Sequence, residues 1–196
     1  MKAQLDHLRE VNAGLLLYAA REEALNDRIK SLEGMLQTKS TISQDKLLAR
    51  IIDYHLYEDR CTLNVGSNQG VKAGQGVLTS EGLLGVVQTL SNDRCQVLLV
   101  SSSSCRLGAR VNTVPPVVGL IKGEGPSRLM FETNIAERTL VAGQKVVTNG
   151  LSDTLPPGLL IGYVQQSEKS AEFGASRASV IPVANLATAR EVWVLR

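Results

Sequence analysis

Two histidines, three cysteines and a run of serines are the residues of this 196-residue chain to weigh first as sources of chemistry. A nucleophilic triad needs a histidine placed as general base beside a serine or cysteine. His7 lies in a short charged stretch and reads as a solvated side chain. His55, in Asp53-Tyr54-His55-Leu56-Tyr57-Glu58-Asp59, has carboxylates nearby and is the better placed base. Yet no serine or cysteine stands in the strained, Gly-flanked setting of a nucleophile elbow, and Ser101 to Ser104 follows a strand-like run as a polar turn would. Cys61, Cys95 and Cys105 match neither a disulfide framework nor a zinc spacing. They read as small buried hydrophobes, with a Cys95–Cys105 bridge left open in an oxidising compartment. Val65-Gly66-Ser67-Asn68-Gln69-Gly70 is glycine-bearing but leads into a hairpin, so no helix N-terminus awaits a phosphate. The expectation is no catalytic residue, no metal and no cofactor.

Macromolecular partners are narrowed by charge. The net charge is +2, and no run of Lys and Arg is dense enough to track a phosphate backbone. Arg50, Tyr54, Tyr57 and Arg60 do not interleave into a stacking platform, so nucleic acid is not expected as a partner. No stretch approaches the ~18 apolar residues of a membrane span. Gly14 to Ala20 is too short, and its charged flanks (Arg9 and Glu10 before, Arg21 to Glu23 after) are not those of a signal peptide.

Two kinds of element must carry whatever the chain does. Residues 1–46 are proline-free, with Leu5, Leu8, Leu15, Leu25, Ile29, Leu32 and Leu36 recurring at steps that keep one helix face apolar. Asn12 falls in the seam and the register slips near Glu22 to Leu25. An amphipathic helix packed on its own domain is therefore the alternative to a self-pairing coiled coil. Beyond Thr38 to Gln44 the period changes to two. Ile51 to Val65, Gly76 to Leu90 and Arg94 to Val100 are strand-like runs parted by turn residues. Aromatics are only 4% and glycines number 17, a mix that suits small β-domains with many tight turns.

The strongest internal signal is a repeat. Val71-Lys72-Ala73-Gly74-Gln75-Gly76-Val77-Leu78-Thr79 is echoed by Val141-Ala142-Gly143-Gln144-Lys145-Val146-Val147-Thr148. Each copy is followed by a second match, Gly82-Leu83-Leu84-Gly85-Val86-Val87 and then Gly158-Leu159-Leu160-Ile161-Gly162-Tyr163-Val164. The second copy carries an insertion with Pro156-Pro157. Each unit reads as a glycine turn, a strand, a glycine turn and a second strand, so two similar small barrels are expected. Gly70, Gly74, Gly82, Gly85, Gly143, Pro156, Pro157, Gly158 and Gly162 are read as structural turn residues. Asn112 to Lys122, with Pro115-Pro116, is read as the passage between barrels, and Trp193 as the packing anchor of the last strand.

Leu63 to Val77 with Glu81 to Val87, and Val141 to Gly150 with Leu155 to Gly162, resemble the two signature stretches of the rod-shape-determining MreC family. The resemblance covers about residues 47–195. It implies a coiled coil and two barrels in a chymotrypsin-like arrangement without catalytic residues: 1–46 helix and linker, 47–112 first barrel, 113–177 second. A C-terminal strand at about 178–196 would complete the first barrel.

The family further implies an extracytoplasmic place, a membrane anchor upstream, homodimers and filaments. Its implied partners are MreB, MreD, RodZ and a class B penicillin-binding protein. The expected mechanism is helix pairing that presents the barrels, whose exposed strand edges and loops bind the wall synthase. A periplasmic adaptor of a transport system and a double-barrel hydrolase are the alternatives from other classes.

Overall fold

The structure is a computed structural model that describes residues 21–22, 45–55, 59–126, 128–134, 140–151, 155–169, 176–185 and 189–196. The chain falls into two units, Met1–Ser43 and Gln44–Arg196. In the first, Arg21 and Glu22 are described and are helical. The expected seam of Leu5, Leu8, Leu15, Leu25, Ile29, Leu32 and Leu36 lies outside the described residues.

The second unit is built of β-strands: β1 (Lys46–His55), β2 (Arg60–Leu63), β3 (Gly76–Leu78), β4 (Leu83–Leu90), β5 (Cys95–Leu99), β6 (Arg106–Val111), β7 (Val117–Gly123), β8 (Leu129–Thr133), β9 (Lys145–Thr148), β10 (Leu160–Lys169), β11 (Ser176–Pro182) and β12 (Glu191–Leu195). They close into two six-stranded barrels, in the orders β1-β12-β3-β4-β5-β2 and β10-β11-β8-β7-β6-β9. Every pairing is antiparallel. The second barrel is thus inserted between β5 and β12 of the first.

Alternation along the strands explains the closure. Cys61 and Leu63, Cys95, Val97 and Leu99, and Val192 and Val194 point into the first barrel. Ala109, Val111, Val117, Ile121, Leu129, Phe131, Ala178 and Val180 fill the second. Each such Val, Leu, Ile or Phe side chain contributes roughly 1.5–3 kcal/mol by leaving water. With few aromatics, the cores are made from many β-branched residues that suit a pleated surface.

Four expectations are corrected. The boundary does not fall at residues 112–113, because β6 pairs with β7 over Arg106 to Val111 and belongs to the second barrel. Asn112 to Pro116 is the loop of that hairpin, not a passage between barrels. At the other end β11 also belongs to the second barrel, so β12 alone completes the first. Trp193 faces outward, 36% exposed, while its neighbours Val192 and Val194 anchor the strand.

The two barrels share packing. Leu83, at the start of β4, and Val100, just after β5, join the core cluster of the second barrel with Leu155 and Ile161. A β-carbon on Gly82 would press on the Leu160 carbonyl and lie 2.5 Å from Val183 Cγ2. The crossover after β5 is held down as well: Ser101 and Ser102 are buried, and Gly125 N–H donates to the Ser101 carbonyl at 3.0 Å.

Candidate functional site

The repeat becomes the same turn made twice. Gly74 has φ of +86° and Gly143 +85°. Gln75 N–H donates to Lys72 O at 3.4 Å, and Gln144 N–H to Val141 O at 3.3 Å. Positive φ at the third residue of the turn but not the second defines a type II turn, where a side chain would be strained. Gly74 N–H then donates to Val87 O, and Gly143 N–H to Val164 O, each at 2.8 Å. The shared pattern extends to the threonine five residues on. Thr79 Oγ1 donates to Gly82 O at 3.2 Å, and Thr148 Oγ1 to Pro156 O at 2.6 Å, so each hydroxyl closes its hairpin loop.

Of the other motif residues, Gly70 and Gly158 close turns with φ of +80° and +91°, and Pro157 packs beneath Gly150. Gly85 and Gly162 are corrected from turns to strand interiors, in β4 and β10. Each is bare because a neighbouring carbonyl, of Leu98 or of Ile181, occupies the place of a β-carbon.

The reactive side chains are dispersed. His55 Nε2 lies 3.4 Å from Asp53 Oδ2 on an exposed strand end, and its partner across the sheet is Arg60. Cys61, one residue on, is wholly buried in the barrel core, where burial pushes its thiol up to about 12. All three cysteines are free and buried; burial lifts Cys95 to about 11 and Cys105 to about 12. Such thiols are protonated at neutral pH and are poor nucleophiles. The Cys95–Cys105 bridge is not formed. Among the described residues no group of three His, Cys, Asp or Glu side chains is arranged to hold a metal ion. No helix among them is long and apolar enough to cross a membrane.

What the surface does offer is faces. Closure leaves neither barrel an edge strand, so the expected strand addition at an exposed edge is corrected: a partner meets side chains, not a free ladder. On the first barrel, Leu48, Trp193 and Leu78 stand in register across β1, β12 and β3. On the second, Leu120 and Val118 of β7 point outward beside Gly108 of β6. Leu151 stands over the same spot, its N–H held by Asn149 Oδ1 at 3.0 Å, and Asn149 lies against Gly108. The sequence reading missed this second face, since it took residues 112–122 for a connection. The signal was Val117-Val118-Gly119-Leu120-Ile121, apolar on both sides of a strand that has only one core.

The described residues thus form a pair of fused, closed barrels with buried thiols and apolar outer faces. The family model for the barrel core of the rod shape-determining protein MreC matches residues 52–196, and the chain belongs to that family. It is 29% identical to the cell shape-determining protein MreC of Listeria monocytogenes, over 97% of this chain and 67% of that protein. Against the Escherichia coli protein of the same name it is 25% identical, over 92% of this chain and 49% of that protein.

A solved MreC structure from Listeria monocytogenes superposes with a TM-score of 0.84 at 28% identity, covering 97% of this chain and 94% of that one. The fold also matches MreC in a solved complex between penicillin-binding protein PBP2 and MreC from Helicobacter pylori. That match has a TM-score of 0.61 at 18% identity, over 78% of this chain and 98% of that one.

Proposed function

We propose that this chain is a non-catalytic scaffold of the bacterial wall-elongation machinery that helps set rod shape by pairing with itself and binding a class B penicillin-binding protein. Family membership supports the cell-shape role, and the PBP2 complex of the Helicobacter pylori relative supports the choice of partner. The observation that carries the reading is the closed double barrel whose thiols are buried and whose exposed apolar residues form faces on its surface.

In this reading the barrels are extracytoplasmic and tethered to the inner membrane. The seam of Leu5, Leu8, Leu15, Leu25, Ile29, Leu32 and Leu36 pairs two copies, and filaments, MreB, MreD and RodZ follow from family resemblance alone. Pairing would double the local concentration of faces, so that two weak contacts act together.

Titration of the chain against the periplasmic part of its organism's class B penicillin-binding protein tests the partner. Saturable binding is expected, and none, with a folded chain, overturns it. Ile29→Glu with Leu32→Glu tests the seam by light scattering: a monomer with intact barrels is expected, and a dimer contradicts it.

A further inference from the structure

Tyr163 and Ile181, in register across β10 and β11, make one exposed apolar spot on the second barrel, and the outer side of β6 and β7 makes another. Its centre is apolar: Leu151 is 81% exposed, Leu120 55% and Val118 43%. Gly108, directly across from Leu120, has no side chain of its own, and the Asn149 amide packs over it, so that Val118, Leu120, Asn149 and Leu151 line a shallow groove. The exposed leucine is held, not loose, because its N–H is bonded to Asn149, whose own N–H donates to Gly108 O at 3.2 Å.

The frame of the groove is cationic. Arg106, Gly108 and Arg110 alternate with the inward Leu107, Ala109 and Val111, so both arginines share the outer face. Arg106 stands directly opposite Lys122, and Arg110 opposite Val118. Like charges directly opposite each other destabilise a strand pair. Among the described residues neither Arg106 nor Lys122 has an ion-pair partner, and Arg110 Nε is buried with no hydrogen bond. The carboxylates beside this face are already engaged: Glu132, across from Leu120, by Arg177 at 3.1 Å, and Glu124, two residues past Lys122, by Arg128 at 3.5 Å. A surface that keeps two cations facing each other around an apolar groove is complementary to an anionic, apolar partner and not to itself.

We propose that this face of β6 and β7 is where the wall synthase docks. It receives a protein segment that seats apolar side chains between Leu120 and Leu151 and sets carboxylates against Arg106, Arg110 and Lys122. The inference rests on the partner reading above. Apolar centres inside a charged rim are the usual anatomy of such contacts, with the centre carrying most of the affinity and the rim the rate of encounter.

The test titrates the full chain and three variants, Leu120→Asp, Leu151→Asp and Lys122→Glu, against the periplasmic part of the organism's class B penicillin-binding protein. All are first checked by thermal melt. Because these side chains point outward, the variants keep the melting profile of the parent. Expected are losses of at least about tenfold in affinity for each leucine variant, the order of a hot-spot residue. For Lys122→Glu a slower association and a weaker salt dependence are expected.

Binding by the parent that all three variants retain overturns the proposed face and leaves the partner reading standing. No binding by the parent overturns both. A Leu120→Asp chain that binds normally but changes its mass by light scattering shows a contact between copies instead, and also overturns the proposal.

Discussion

Gln75 and Gln144 occupy the same place in the two barrels: each side-chain carbonyl accepts the backbone N–H three residues back, from Lys72 at 2.8 Å and from Val141 at 2.9 Å. Each residue's own carbonyl accepts the N–H of the facing strand, from Val87 and Val164, both at 2.9 Å. One residue type thus fastens the turn and the hairpin at once, which accounts for its recurrence in both copies of the repeat.

The two glutamines differ in burial, and this separates their contributions. Gln75 is only 8% exposed, whereas Gln144 is half-buried and its turn is wet. Gln75→Ala leaves a turn N–H poorly solvated and should cost about 1–3 kcal/mol; Gln144→Ala should cost about 0.5–1.5 kcal/mol. Urea titration of both variants checks the order, and equal losses would contradict it.

Gly82 is a tight point of contact between the barrels. Gly82→Val forces a branched side chain against the Leu160 carbonyl and Val183 and should destabilise the unit by about 1–3 kcal/mol. If the barrels unfold as one cooperative body, intrinsic fluorescence of Trp193 in the first and a label in the second will keep a shared midpoint. Separate midpoints in the variant would show that the contact is what couples them.

Phe131 stands opposite Ile121, and its ring reaches diagonally over Gly119: a β-carbon on Gly119 would lie 2.7 Å from the ring Cζ and would also press on the Glu132 carbonyl. Gly119→Ala should therefore be costly in the parent and less so with Phe131→Leu. The coupling expected in a double-mutant cycle is about 0.5–3 kcal/mol, as for residues in contact. Simple additivity would mean that the Glu132 carbonyl, not the ring, sets the cost.

The thiols give a pH dependence with a definite sign. An unfolded cysteine ionises near 9, while burial holds Cys61 and Cys105 protonated to about 12. Between those values the folded state binds more protons, so stability falls as pH rises and is flat below that window. The slope is at most about 1.4 kcal/mol per pH unit for each thiol. Urea midpoints from pH 7 to 10.5 should decline above pH 9, and less steeply for Cys105→Ala. By the same logic, a thiol reagent at pH 7 should label these cysteines only in the unfolded chain.

Much of the barrel architecture was legible because a period of two and a repeated type II turn are local signals. The Ala-Gly-Gln-x-Val-x-Thr repeat marks β3 and β9 at matching places in the two barrels. What stayed hidden was non-local. Pro115-Pro116 reads as a connection in any chain, and only the pairing of Arg106 to Val111 with Val117 to Lys122 makes it a hairpin loop. Likewise the run Ile51 to Val65 does not announce that β1 ends at His55 and β2 begins at Arg60.

Trp193 misled for a related reason. An aromatic on a last strand is expected to anchor it, but alternation gave the inward places to Val192 and Val194. The face on β6 and β7 needed the same missing fact, which side of each strand is out.

β12 lies between β1 and β3, and Arg196 N–H is bonded to the Asp45 carbonyl just ahead of β1, at 2.9 Å. The second barrel, by contrast, is complete within residues 106–182. The inserted barrel can therefore close on its own strands while its host, short of β12, is still an open cylinder of five strands. β12 thus acts as a latch: without it the borders of β1 and β3 are left unpaired and open to quality control.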